Sequence, residues 1–126
     1  MPKICLDANI LLELLFARGR SPQVIQLLET MTEAQFWVSV LSVDLVMYFV
    51  EAERASKSVA WDFLRHYDVV DLTRSDLEWA RDNDGGDFED ALQIAVARRI
   101  GAQKFVTLDQ SVAPMYGQFV PVVTVR

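Results

Sequence analysis

Five aspartates stand where short apolar runs end or helical segments begin: Asp7, Asp44, Asp87, Asp90 and Asp109. They are far apart in sequence. Each is ordinary alone, because aspartate caps helices and favours the positive end of a helix dipole. As a set they describe an acidic pocket. Carboxylates without histidine or thiolate partners are ligands for a hard divalent cation, Mg2+ or Mn2+. Such a cation polarises a phosphoryl oxygen and lowers the pKa of a bound water. The chemistry indicated is metal-assisted hydrolysis of a phosphodiester. Asn9 and Thr107 each flank one of these aspartates and carry groups that can hold a carboxylate or a metal-bound water in place.

The rest of the composition narrows the choice. His66 is the only histidine and Cys5 the only cysteine, so a zinc site and an internal disulfide have no material. A lone thiol inside an apolar run fits a reducing, cytoplasmic setting. The net charge of −6 argues at face value against a nucleic-acid binder. Five of the acids are those named above, so most of that charge can belong to one site. The longest apolar stretch near the N-terminus, Ile10–Phe16, is broken by Glu13 and is too short to span a membrane. It also lacks the flanks of a signal peptide. At 126 residues the chain is expected to form a single domain over 1–126.

Positioning these acids requires alternating strands and helices. Lys3–Leu6 reads as a strand ending at Asp7, followed by a helix over Asn9–Ala17. Ser21-Pro22 opens a second helix, to about Met31. Phe36–Ser39 reads as a strand, and Ser42 as the cap of a third helix running to about Arg54. A fourth helix ends near His66. Val69–Leu72 is a strand candidate, and Thr73 or Ser75 starts a helix to about Asn83. Asp87 caps the clearest helix, which runs to Ile100 and stops at Gly101. Lys104–Leu108 and Phe119–Val125 are the last strands. This pattern predicts a mostly parallel sheet of four to five strands covered on both faces. In such a sheet ligands bind beyond the C-terminal strand ends, where all five aspartates can converge.

The third helix carries a second signal. Val43, Val46, Met47 and Val50 share one face, while Leu45, Tyr48, Phe49 and Ala52 cover much of the other. A helix apolar on both sides is covered on more than one side. The sheet covers one; another chain is the expected cover for the rest. The 52% hydrophobic composition points the same way.

Four stretches in this order resemble a PIN domain. They are Ile4-Cys5-Leu6-Asp7-Ala8-Asn9-Ile10-Leu11, Ser39-Val40-Leu41-Ser42-Val43-Asp44, Asp87-Phe88-Glu89-Asp90-Ala91-Leu92-Gln93-Ile94-Ala95 and Val106-Thr107-Leu108-Asp109. The third is the most specific. The resemblance implies a three-layer α/β/α fold and an endoribonuclease dependent on Mg2+ or Mn2+. Among small stand-alone members it is most similar to the VapC-type toxins of toxin–antitoxin pairs. It implies Asp7, Asp44, Asp90 and Asp109 as catalytic metal-site acids, Asp87 as an accessory acid, and Asn9 and Thr107 as polar neighbours. It also implies an RNA substrate, a homodimer and a small antitoxin as partners. One departure is visible: the family usually carries Glu where this chain has Asp44, which is one methylene shorter.

A competing expectation is a catalytically weak PIN-like binding or assembly module. Two other enzyme classes fit less well. A haloacid-dehalogenase phosphatase wants a second aspartate two residues after the first, and Asn9 stands there. A phosphorelay receiver wants a lysine at the end of its last strand, and Val122–Arg126 has none.

Overall fold

The computed structural model describes all 126 residues. The chain alternates as the sequence pattern predicts: β1 (Lys3–Leu6), α1 (Ala8–Leu15), α2 (Ser21–Glu29), β2 (Gln35–Ser39), α3 (Val40–Ala52), α4 (Lys57–Leu64), β3 (Asp68–Val70), α5 (Arg74–Asn83), α6 (Phe88–Arg99), β4 (Lys104–Thr107), α7 (Val112–Tyr116) and β5 (Val122–Thr124). The five strands form one sheet in the order β3-β2-β1-β4-β5, and every pairing is parallel.

Alternating residues of the central strands feed two apolar clusters, one on each face. Ile4, Leu6 and Val106 join the cluster built with α1, α3 and α4. Cys5 and Phe105 join the one built with α5, α6 and α7. Strands covered on both faces need apolar side chains in both directions, which is why they read as short continuous runs. No helix is long and apolar enough to cross a membrane.

Strand order fixes where a site can form. From β1 the chain moves outward to β2 and β3; from β4 it moves the other way to β5. Helices leaving β1 and β4 therefore diverge, and a crevice opens between the C-terminal ends of these two strands. Asp7 follows β1, and Asp109 follows β4.

One boundary differs from the sequence expectation in a way that matters for the site. Helix α3 starts at Val40, not after Ser42. Its cap is Ser39, which has an extended backbone and whose side-chain hydroxyl accepts the Ser42 N–H at 3.1 Å. The hydroxyl of Ser39 also donates to Gln93 Oε1 at 2.9 Å, and Gln93 Nε2 donates to Ser42 Oγ at 2.7 Å. All three side chains are completely buried. This tertiary network from α6 satisfies both serines and sets where α3 begins. At the other edge, β3 is Asp68–Val70, earlier than the apolar run Val69–Leu72 suggests, because its register follows β2.

Candidate active site

One cleft of about 390 Å3 sits at the crevice, lined by Asp7, Asn9, Asp87, Glu89, Asp90 and Asp109 on its acidic side. Leu12, Leu45, Tyr48 and Phe49 form its other wall.

Asp7 is the buried floor, only 3% exposed. It stands at the N-cap position of α1 but makes no side-chain capping bond, so its carboxylate is free for another purpose. Thr107 holds it instead. The threonine hydroxyl donates to Asp7 Oδ2 at 2.8 Å and accepts from Asn9 Nδ2 at 3.1 Å and from the Asp109 N–H at 3.0 Å. A hydroxyl has one proton and two lone pairs. Both lone pairs face N–H donors here, so the proton is committed to Asp7. Asn9 is oriented in turn by accepting the Leu108 N–H at 3.1 Å. The ends of β1 and β4 are thus laced together by the polar pair singled out in the sequence.

The other acids arrive by local rules. Asp87 caps α6 by accepting the Asp90 N–H at 3.1 Å, which puts Glu89 and Asp90 in the first turn. Asp109 turns the chain after β4 by accepting from the backbone and hydroxyl of Ser111, at 2.9 and 2.7 Å.

The electrostatics show acids gathered without cations. Burial pushes the Asp7 carboxyl up to about 6, against the opposing Thr107 hydrogen bond, with Glu89 and Asp109 adding repulsion. Asp90 is raised to about 7, first by burial and then by Asp7, Asp87, Asp109 and Glu89. Glu89 is also raised, by burial and by Asp87. No lysine or arginine lines the cleft. Beneath it, burial and Asp7 push the Cys5 thiol up to about 12, so this cysteine is neither nucleophile nor ligand at neutral pH.

The structure brings Asp7, Asn9, Asp87, Asp90 and Asp109 to one cleft, with Thr107 under its floor. It does not bring Asp44. That residue is exposed and lines a separate groove with Val40, Val43, Met47, Glu51, Lys57 and Trp61. The expectation that Asp44 joins the cluster is therefore corrected. Helix α3 starts earlier than expected, so Asp44 lies beyond its first turn, and the next residue, Leu45, lines the cleft. Successive helix residues point about 100° apart, so one position decides the matter. Glu89 is the acid that sequence reasoning missed. Its signal was present, since it stands between two acids already assigned to the first turn of α6.

Three acids in reach of one another would make a closed metal cage. Here no group of three ligand-type side chains is spaced to hold a metal as it stands. The acids ring an open cleft instead.

A doubly wound parallel sheet with carboxylates around its switch point defines the class. The chain belongs to the PIN domain family, whose model matches residues 3–111. No curated protein sequence matches it significantly. Solved structures share the fold at low identity. A toxin–antitoxin complex from Klebsiella pneumoniae superposes with TM-score 0.74 at 19% identity, covering 98% of each chain. VapBC2 from Rickettsia felis, bound to a promoter DNA fragment, gives TM-score 0.75 at 14% identity, over 97% of this chain and 98% of that one. VapC20 from Mycobacterium tuberculosis, a toxin that cleaves the sarcin–ricin loop, gives TM-score 0.73 at 19% identity, over 94% and 98%.

Proposed function

We propose that this protein is a metal-dependent endoribonuclease that hydrolyses RNA phosphodiester bonds, and that it is the toxin of a toxin–antitoxin pair. The observation that carries this reading is the cation-free gathering of acids at the switch point of a PIN fold, with two carboxyls raised toward neutrality. Repulsion of that kind is relieved by a bound cation. An all-oxygen donor set suits Mg2+ or Mn2+. Because no three of these acids close on a common point, Asp7, Asp90 and Asp109 would share the ion with bound waters, as Mg2+ commonly retains, with the exposed Asp87 and Glu89 beside them. When bound, such an ion polarises a phosphoryl oxygen and yields a nucleophilic water at neutral pH. The chain's own residues supply placement. Thr107 and Asn9 fix the floor carboxylate, and α6 presents Asp90 from a capped first turn. Toxins among proteins of the same fold support the biological role.

The proposed protein partners are a second copy of the chain and a small antitoxin, and the proposed setting is the cytoplasm. Two apolar surfaces support this. One is the cleft wall at Tyr48 and Phe49. The other is a groove lined by Val40, Val43, Trp61, Leu64, Tyr67 and Val69, in which Val40, Trp61 and Val69 are all more than 40% exposed. Val46 and Val50, on the first face of the third helix, are fully buried in the core and take no part.

A second reading, a weakly catalytic binding or assembly module, has its own observation. Helix α3 contributes Leu45 to the cleft where an acid was expected. One experiment separates the two. Purified protein is incubated with single-stranded RNA and Mg2+ or Mn2+, with and without EDTA. Cleavage abolished by EDTA supports the nuclease; RNA left intact with either metal supports the module.

A further inference from the structure

The wall facing the acids is aromatic, and its rings are open. Leu45, Tyr48 and Phe49 follow the three- and four-residue spacing that puts helix side chains on one face. Tyr48 is 65% exposed and Phe49 36%. The two rings meet edge to face, with centroids 5.3 Å apart and planes at 85°. That geometry uses the edge of one ring and one face of the other. Each ring therefore keeps at least one face that the pair does not occupy.

These rings share a single cleft with Asp7, Asp90 and Asp109. A nucleotide chain whose phosphodiester reaches the acids must lay its neighbouring nucleosides against the cleft walls. The acidic wall repels the backbone. The opposite wall has no cation to attract it and offers π faces instead. Unpaired bases stack on aromatic side chains regardless of sequence, because every base has a π face.

We propose that Tyr48 and Phe49 form a nucleobase subsite, where an unpaired base flanking the scissile phosphodiester stacks on Tyr48 and Phe49 braces that ring from the side. This rests on the nuclease reading. An apolar peptide could also cover the wall, but leucine would serve a peptide as well as tyrosine does. A stacked base needs a planar partner, which leucine is not.

The test compares Tyr48→Phe, Tyr48→Leu and Phe49→Leu with the unaltered protein on a short unstructured RNA, cleaved with Mn2+. Circular dichroism melts check that each variant folds. Tyr48→Phe should keep KM within about twofold, and Tyr48→Leu should raise it about tenfold with kcat little changed, the size expected from losing one stacked base. Phe49→Leu should fall between them. A single abasic nucleotide is then moved along the RNA. At one position beside the cut it should raise KM about tenfold for the unaltered protein and add nothing for Tyr48→Leu, since the stack is already gone. Equal KM for Tyr48→Leu and the unaltered protein overturns the proposal. So does an abasic penalty of the same size in both. Binding of the same RNA is read separately by fluorescence anisotropy in the Asp90→Asn background, where cleavage is removed. If no RNA is cut by any form but binding still depends on Tyr48 and on one base of the RNA, the nuclease reading fails and base stacking on Tyr48 stands. If binding ignores both, the subsite is refuted.

Discussion

Two buried aspartates in this molecule live under opposite regimes. Asp76, 2% exposed, opens α5. It belongs to a capping box with Thr73, whose N–H it accepts at 2.9 Å. Arg99 closes on it from α6, with Nε at 2.9 Å from Oδ1 and Nη2 at 3.0 Å from Oδ2, and the same guanidinium bonds the Asp71 carbonyl at 2.6 Å. Burial alone would raise this carboxyl; the Arg99 and Thr73 hydrogen bonds outweigh it and hold the carboxyl below its ordinary value. Asp7 is as little exposed but lies deeper and has no cation; burial outweighs its hydrogen bonds, the Thr107 hydroxyl foremost, and its carboxyl is raised to about 6. The chemical group is the same. In one place its charge is satisfied and joins two helices. In the other it is left uncompensated beside more acids, an arrangement that costs stability and makes sense as a binding site.

The largest expected effect separates the two on activity. Asp7→Asn or Asp90→Asn should lower RNA cleavage by roughly two orders of magnitude or more, since each removes a metal oxygen. The same changes should leave the metal-free melting temperature unchanged or higher, because each relieves repulsion. A clear fall in melting temperature with activity retained would break the comparison. Asp76→Ala should do the reverse. It should cost about 2–3 kcal/mol in urea unfolding, the low end for breaking a buried pair because Arg99 is one-third exposed, while cleavage by the folded fraction persists.

The pH dependence of metal-free stability should sharpen the contrast. Asp7 and Asp90 have raised folded values, so between about 4 and 7 the folded protein binds more protons than the unfolded chain. Their contribution is present at low pH and lost as pH rises through 6 to 7. Asp76 is lowered, so its contribution is present above the ordinary carboxylate range and lost as pH falls. Thermal melts across pH 5–8 without metal should therefore decline with rising pH, and Asp90→Asn should flatten that decline. Melting curves that rise with pH over this window would contradict it. The smallest effect belongs to Asp44. With its side chain outside the cleft, Asp44→Ala should change stability by less than about 0.5 kcal/mol and leave cleavage within about twofold. A large loss in the cleavage assay would return it to the site.

The features written locally were legible along the chain. Apolar runs of strand length, Asp87 as the cap of α6 and acids at strand ends all follow from side-chain chemistry within a few residues. These sufficed for the α/β pattern and for six of the residues at the cleft or under its floor: Asp7, Asn9, Asp87, Asp90, Thr107 and Asp109. The remainder came from contacts between segments far apart in the chain. That α3 begins at Val40 and not three residues later goes with Gln93, more than fifty residues away, which bonds both Ser39 and Ser42, and it is Leu45 and not Asp44 that lines the cleft. Whether a buried aspartate meets Arg99 or other acids is likewise invisible along the chain. A helix side chain's direction turns through about 100° per residue, and a carboxyl's charge state answers to every group packed around it, so both are properties of the assembled molecule.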